Sequence, residues 1–183
     1  MHFGRLPEAP FGVFSLVAYL PQPLSGFIEP LRAQLVPGCK ARAHVTVLSP
    51  RALTLPATQV RKELARPLEE SAPFLVTLGE VCVFPATGVI YLSVESGYRE
   101  LADLHRVANA GGAHSSDEHE FHPHVTLAQE SSLPHTRNRA EDAWARYAEP
   151  REFTVEKLYL VECTPQGDFV DTAEFALRSA VPA

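Results

Sequence analysis

The chain has 183 residues, of which 45% are hydrophobic and 21% are charged. These proportions are those of a folded globular protein and exclude an intrinsically disordered one. The net charge of −6 at pH 7 argues against a long basic surface for extended duplex nucleic acid. It does not exclude a small phosphate-bearing ligand or the end of an RNA strand.

The cysteines and the N-terminal segment both bear on where the protein resides. Cys39, Cys82 and Cys163 are odd in number, widely separated and form no CxxC pair, which indicates reduced thiols in a cytoplasmic protein. Residues 1–10 contain no long apolar run after a charged stretch, so we expect no signal peptide. No apolar stretch approaches the ~20 residues that a membrane helix needs. We expect no membrane contact and, by default, a monomer.

The first half of the chain alternates between strand and helix patterns. Runs of β-branched and aromatic residues indicate strands, and apolar residues at helical spacing indicate helices. Because Pro30 is tolerated only in the first turn of a helix, the first helix is predicted to begin late. Ser49-Pro50 is predicted to close the second strand. The predicted elements are a strand over 11–20, a helix within 24–35, a strand over 43–49, a helix over 57–70 and a strand over 74–84.

The second half repeats this order. A turn over 85–88 joins the halves as a hairpin, and Gly111-Gly112 is predicted to end the next helix through the freedom of glycine at positive φ. The segment 113–121 is a polar loop. The predicted elements are a strand over 89–95, a helix over 98–110, a strand over 124–128, a helix over 134–148, a strand over 153–163 and a strand over 169–177.

A tetrapeptide also repeats at the offset of about 80 residues. His44-Val45-Thr46-Val47 returns as His124-Val125-Thr126-Leu127, at matching places in the two halves. Side chains alternate between the two faces of a strand, so His and Thr share one face while the apolar residues share the other. The repeat predicts an internal duplication with two lobes related by a pseudo-two-fold axis, and with the two motif strands beside that axis.

Two histidines on opposite sides of one phosphodiester can perform acid–base catalysis without a metal. An imidazole titrates near neutral pH, so one ring can accept a proton while the other donates one. The hydroxyls of Thr46 and Thr126 would hydrogen-bond the non-bridging phosphate oxygens. The pseudo-two-fold axis suits in-line displacement, because the attacking and leaving groups lie on opposite sides of phosphorus. His44 and His124 are therefore the candidate catalytic residues, and Thr46 and Thr126 the candidate phosphate ligands.

The two motifs resemble the signature of the 2H phosphoesterase superfamily, whose members carry two His-x-Thr/Ser-x motifs. Residues 14–24 (FSLVAYLPQPL) resemble its opening strand, residues 44–50 (HVTVLSP) its first motif in the 2′-5′ RNA ligase branch, and residues 121–128 (FHPHVTLA) its second. The resemblance covers about residues 11–165. It implies an α+β fold of two antiparallel-type sheets with outer helices around a central cleft. As one domain over 1–183, the chain would comprise repeats over 11–84 and 88–165 and a closing strand over 168–178.

The resemblance also implies an activity and roles for the two histidines. The activity is ATP- and metal-independent chemistry, without a cofactor, on 2′,3′-cyclic phosphate ends or 2′-5′ phosphodiester bonds of RNA or nucleotides. His44 would be the proton donor and His124 the acceptor, and the reverse ligation reaction would exchange them. Many RNA-acting relatives place an arginine soon after a motif, where this chain has Leu48 and Ala128. That departure favours a small or terminal substrate over long RNA.

Residues beside the motifs leave other interpretations open. Arg42 and His122 each precede a motif histidine by two positions, and each is either a contact at the rim of the site or a solvated side chain. His114, His119, His122 and His124 crowd together with acidic residues, which suggests a metal-dependent hydrolase, but their spacing matches no strong zinc pattern. A third hypothesis is a module that binds an RNA end or a nucleotide with little catalysis.

Overall fold

The computed structural model describes residues 9–116, 120–129, 134–164 and 168–178. Over these ranges the chain alternates strands and α-helices as the sequence predicts. The elements are β1 (Val13–Tyr19), α1 (Leu24–Leu35), β2 (His44–Ala52), α2 (Ala57–Glu69), β3 (Phe74–Val83), β4 (Ile90–Ser96), α3 (Tyr98–Ala108), β5 (His124–Ala128), α4 (Pro134–Ala145), β6 (Glu152–Val155), β7 (Lys157–Cys163) and β8 (Phe169–Ala176).

The strands form two four-stranded antiparallel sheets. The first sheet has the order β2-β1-β7-β8 and the second has the order β5-β4-β3-β6. The predicted fold class, a duplicated two-lobed α+β fold with two antiparallel sheets, is confirmed. Each motif strand, β2 or β5, lies at the edge of its sheet and pairs with the strand that opens its half, β1 or β4. Pro123, which cannot donate a main-chain hydrogen bond, directly precedes the edge strand β5, as expected for a proline.

The two sheets do not coincide with the two sequence halves. Strand β3 belongs to the first half but pairs with β4 and β6 in the second sheet. The single strand predicted over 153–163 is wrong, because β6 and β7 lie in different sheets. The break falls at Glu156 and Lys157, where two adjacent exposed residues interrupt the alternation of buried and exposed positions. The chain passes from the second sheet to the first at this point.

Two prolines lie inside elements that they were predicted to delimit. Helix α1 begins at Leu24 and contains Pro30, so the predicted late start is wrong. Leu24, Ile28 and Leu31 bury one face of that helix, and this packing outweighs the single main-chain hydrogen bond that proline removes. Strand β2 likewise continues past Pro50 to Ala52, because an edge strand tolerates a residue without an N–H group.

Helix α3 ends earlier than its glycines predicted. It stops at Ala108, and Asn109 caps it through a hydrogen bond from its N–H group to the carbonyl of His105 (2.8 Å). Gly111, at φ +53°, instead begins a short 3₁₀ turn. The side-chain oxygen of Asn109 accepts a hydrogen bond from the N–H group of Ser115 (2.9 Å), so this residue serves the following loop as well as the helix. Helix α4 ends at Ala145, three residues before its predicted end.

Two helices pack against the motif strand of the opposite half. Helix α1, from the first half, packs against β5, whereas α3, from the second half, packs against β2. In the described part of the chain, no helix is both long and apolar enough to cross a membrane.

Trp144 on α4 is 2% exposed, and its indole N–H donates to the carbonyl of Gly79 on β3 (2.8 Å). This hydrogen bond fastens α4 to the second sheet.

We predict that Trp144→Phe destabilises the protein by about 2 kcal/mol, because it creates a small cavity and leaves a buried carbonyl without a donor. Urea unfolding followed by circular dichroism measures this free energy. The control is Leu75→Ala on β3, whose side chain is 49% exposed, and which should change stability by less than about 0.5 kcal/mol. A Trp144→Phe protein as stable as the control would contradict the assigned role of the indole.

Candidate active site

The two motif strands repeat the same pattern of exposure. Residues 41–49 and 121–129 agree position by position in whether they are buried, partly exposed or exposed. In the first copy Val45 and Val47 are fully buried, while His44 and Thr46 remain partly exposed. Because alternate residues of a strand face opposite sides, the apolar pair anchors the strand in the core. The imidazole and the hydroxyl are thereby presented on the other face.

Each motif histidine is held by the same hydrogen bond. Nδ1 of His44 lies 2.7 Å from the carbonyl oxygen of Arg42, and Nδ1 of His124 lies 2.7 Å from that of His122. A carbonyl oxygen can only accept, so Nδ1 carries the hydrogen and donates it. In the neutral ring Nε2 then keeps its lone pair and can act as a base. The sequence motif did not reveal this bond, whose acceptor is a main-chain atom two residues upstream.

The two motif strands approach each other across the space between the sheets. Strands β2 and β5, one edge strand from each sheet, lie in contact. These strands begin at His44 and His124, and the charge of His124 contributes to lowering the pKa of His44. The structure therefore brings together the two histidines that lie 80 residues apart in the sequence. We call the space between β2 and β5 the site cleft.

Both histidines have lowered pKa values. Burial, which disfavours the charged ring, is the main cause that lowers the pKa of His44 from 6.5 to about 4. The charges of Arg32, His124 and Arg42 lower it further, and the carbonyl of Arg42 opposes them. Burial also lowers the pKa of His124. Both rings are therefore neutral at pH 7 in the protein without a ligand.

Aromatic rings surround the two histidines differently. Tyr19 on β1 lies edge-on to His44, with ring centroids 6.4 Å apart. The rings of Phe84 and Tyr91 stack on each other. Their centroids lie 5.0 and 5.2 Å from the centroid of the His124 ring. Tyr91 is 7% exposed and is largely a packing residue. The ring of His124 thus lies against two aromatic side chains, and that of His44 lies beside Tyr19.

The candidate rim residues occupy matching backbone positions but have different environments. Arg42 is exposed; its guanidinium lies 3.5 Å from the centre of the Tyr19 ring and pairs with Asp171 on β8 at 3.0 Å. His122 is exposed, and its ring contacts Phe84 edge-on at 5.2 Å. The Arg42 side chain is therefore directed along the first sheet, whereas that of His122 stays within 6.4 Å of the His124 ring.

The histidine-rich loop does not form a metal site within the described residues. No group of three or more histidine, cysteine, aspartate or glutamate side chains in that part of the chain could hold an ion. His114 instead has its Nδ1 3.2 Å from the carbonyl of Asn109. His119, which belongs to the hypothesis of a metal site between His114 and His124, lies outside the described residues together with Asp117 and Glu118.

Two side chains that the sequence patterns did not single out lie against the motif strands. Arg32 on α1 donates from Nη1 to the carbonyl oxygen of Arg42 (3.1 Å). His105 on α3 places Nδ1 2.7 Å from the carbonyl oxygen of Val47. Each directly follows a buried leucine of its helix. A polar residue on the buried stripe of an amphipathic helix is the signal that could have found them.

A duplicated α+β fold with a histidine and a threonine from each half at one cleft defines the class of the two-histidine phosphoesterases. The family model described as the 2′-5′ RNA ligase superfamily matches residues 20–165, and the chain belongs to that superfamily. This agrees with the resemblance expected from the two motifs.

Solved structures share the fold at low sequence identity. The crystal structure of E. coli LigT without ligand superposes with a TM-score of 0.67 at 18% identity, over 92% of this chain and 98% of LigT. A Thermus thermophilus protein gives a TM-score of 0.59 at 20% identity, over 91% of this chain and 98% of that one. A relative in Oceanobacillus iheyensis, described as a phosphoesterase, is 36% identical over 70 residues. That match spans 38% of this chain and 41% of the relative.

We predict that acid destabilises the protein partly through His44. Its pKa in the folded protein, about 4, lies below the unfolded value of 6.5, so between these pH values the unfolded chain binds the proton more readily. This part of the stability is present above pH 6.5 and is lost as the pH falls towards 4. The loss is at most about 3 kcal/mol.

Urea unfolding of the wild type and of His44→Gln between pH 7.5 and pH 4 measures this contribution. The variant is expected to lose less stability over that range, because a glutamine side chain does not titrate. His135→Gln, at an exposed position on α4, is the matched control and should follow the wild type. Parallel curves for the wild type and His44→Gln would show that the folded protein does not disfavour protonation of His44.

Proposed function

We propose that the protein is a metal-independent phosphodiesterase for 2′,3′-cyclic phosphate ends or 2′-5′ phosphodiester bonds of RNA or nucleotides. Membership in the superfamily supports phosphoesterase chemistry in general. The proposal of a paired-histidine phosphodiesterase rests on the two imidazoles, each held through Nδ1 by a main-chain carbonyl 2.7 Å away. This arrangement leaves each Nε2 free for proton transfer.

In the proposed hydrolysis of a cyclic phosphate, a water oxygen attacks phosphorus as the bond to one ribose oxygen breaks. Nε2 of His124 accepts the proton of the water, and Nε2 of His44, as imidazolium, donates a proton to the leaving ribose oxygen. The product is a phosphomonoester, and solvent returns the two histidines to their starting protonation states. The hydroxyls of Thr46 and Thr126 donate to the non-bridging oxygens and stabilise the charge that develops there.

The donor role of His44 depends on the substrate. In the free protein its lowered pKa, about 4, keeps the ring neutral at pH 7. A phosphate anion in the cleft favours the charged ring, because an opposite charge within a few ångströms raises the pKa of an imidazole. Substrate binding would thus supply the proton donor, and the enzyme would be protonated for catalysis only when occupied.

The relatives of the protein and the residues that follow its two motifs bear on the substrate class. LigT of E. coli has been crystallised with phosphate and with 3′-AMP, which are a group and a product-like nucleotide of the kind proposed for this cleft. Leu48 and Ala128, where many RNA-acting relatives have arginine, are 2% and 1% exposed. We therefore propose a nucleotide or an RNA terminus as substrate.

A cytoplasmic location is part of the proposal, supported by three free cysteines.

The decisive assay is turnover of 2′,3′-cyclic AMP, and of an oligonucleotide ending in a cyclic phosphate, in the presence of EDTA. We predict that His44→Ala and His124→Ala each lower kcat by about 10²–10⁴, the usual contribution of a general acid or base. His135→Ala, on the exposed face of α4, should keep wild-type activity.

Other outcomes select the alternatives. Turnover that survives both substitutions would refute the paired-histidine mechanism. A nucleotide that raises the melting temperature without any product would indicate a binding module. Activity that EDTA abolishes, that His119→Ala removes and that His44→Ala leaves intact would indicate a metal-dependent hydrolase.

We predict that Thr126→Val, which removes only the hydroxyl at constant volume, lowers kcat/KM by about 10². Thr46→Val should have a similar effect, since the two residues hold matching positions. Thr154→Val, on the exposed side of β6, is the control for the same substitution in a strand. Steady-state kinetics on 2′,3′-cyclic AMP provides the measurement, and unchanged kcat/KM in both motif variants would exclude the hydroxyls as phosphate ligands.

A further inference from the structure

We propose that Arg32 on helix α1 binds phosphate in a cavity between α1 and β5, beside Thr126 of the second motif. This inference rests on the proposed function, since it assigns the cation that would bind the phosphate of that substrate. Three independent observations support it: the unbalanced charge of Arg32, the cavity that it lines and its link to both motifs.

Among the residues that the structure describes, Arg32 is a buried charge without a counter-ion. Its side chain is 6% exposed, and Nη1 donates only to the main-chain carbonyls of Ala41 (3.4 Å) and Arg42 (3.1 Å). Within the described residues Arg32 makes no ion pair, and its buried Nε has no hydrogen-bond partner. Glu29 lies one turn earlier on the helix, but its carboxylate accepts from the N–H group of Ala43 (3.0 Å).

Such an arrangement is costly unless an anion completes it. A buried charge is normally paired, and a buried N–H group without an acceptor loses its hydration without compensation. The guanidinium is planar and presents its N–H groups in a fork that matches the oxygens of phosphate. A bound phosphate would provide both the missing acceptor and the missing negative charge.

A small cavity gives the phosphate a place next to this guanidinium. Its volume is about 140 Å³, which is several times the ~30 Å³ that one water molecule occupies in the liquid. Arg32 on α1, with Val36 and Cys39 after that helix, lines one side, and residues 126–129 line the other. Since β5 is an edge strand, one side of its backbone has no neighbouring strand. Thr126, the candidate phosphate ligand of the second motif, is therefore on the same cavity as Arg32.

Arg32 is also linked to the first motif. The carbonyl oxygen of Arg42 accepts from Nη1 of Arg32 at 3.1 Å and from Nδ1 of His44 at 2.7 Å. The guanidinium and the imidazole thus share one acceptor atom. The positive charge of Arg32 lowers the pKa of His44. A phosphate on Arg32 would offset that charge and favour the protonated ring that the proposed mechanism needs.

The helix position explains how this site obtains a cation that its motifs lack. Leu48 and Ala128, after the two motifs, are buried apolar residues and can bind no anion. On α3 the residue that likewise follows a buried leucine is His105, whose ring stacks on Phe121 at 4.2 Å and whose Nδ1 lies 2.7 Å from the carbonyl of Val47. The cation therefore comes from one helix of the duplicated pair, on the side of the cleft that faces β5.

The experiment compares Arg32→Met and Arg32→Lys with the wild type, using inorganic phosphate as the probe. Isothermal titration at constant ionic strength measures the affinity, and kinetics on 2′,3′-cyclic AMP measures KM and kcat. We expect Arg32→Met to weaken phosphate binding at least tenfold and to raise KM by a similar factor. Arg32→Lys, which keeps the charge but loses the fork, should show an intermediate effect. Arg66→Met, at an exposed position on α2, changes the net charge equally and should match the wild type.

The outcomes separate this inference from the proposed function. If the wild type hydrolyses the cyclic nucleotide and a folded Arg32→Met protein binds phosphate equally well, the inference is wrong and the function stands. If the wild type shows no turnover but phosphate binding depends on Arg32, the anion site stands and the function fails. If Arg32→Met does not fold, the test rests on Arg32→Lys. Phosphate affinity and KM equal to those of the wild type in that variant would overturn the proposal that the guanidinium of Arg32 binds the phosphate.

Discussion

The site depends on one hydrogen bond that occurs twice, from Nδ1 of a motif histidine to the carbonyl two residues upstream. This bond fixes the rotation of the imidazole and leaves the lone pair of the neutral ring on Nε2. It forms at the first residue of each motif strand, His44 on β2 and His124 on β5. Because the acceptor belongs to the backbone, side-chain substitutions at Arg42 and His122 preserve it. The duplicated ring geometry can therefore persist while the neighbouring residues diverge.

The placement of both motif strands at sheet edges makes a site between two sheets possible. An edge strand leaves one row of its backbone groups unpaired, which in many proteins invites association with another strand. Here the two edges approach each other within one molecule. Strands β3 and β7 join the sheet of the opposite half, and α1 and α3 pack on the opposite motif strand. The relative position of the histidines is thus set by the shared core rather than by a hinge.

The duplication gives two similar histidines, and their neighbours make them different. His44 lies beside the cations of Arg32 and Arg42, whereas His124 is surrounded by the rings of Phe84 and Tyr91. Acid–base catalysis needs one protonated and one neutral group at the same pH. An exact copy of the environment would give both rings the same affinity for a proton. In the proposed mechanism, the divergence around the motifs is therefore as important as the motifs themselves.

The sequence by itself determined the order of the elements up to residue 152, the duplication and the four candidate residues His44, Thr46, His124 and Thr126. These follow from local regularities, namely the alternation of faces along a strand and a repeat with a constant offset. Only the tertiary structure decided that the strand over 153–163 divides between two sheets, that Pro30 and Pro50 lie inside their elements, and that Arg32 lies against both motifs. Each of these depends on packing between segments distant in sequence. The buried face of α1 outweighs the one hydrogen bond lost at Pro30, and the segments around a buried guanidinium decide whether it has a counter-ion.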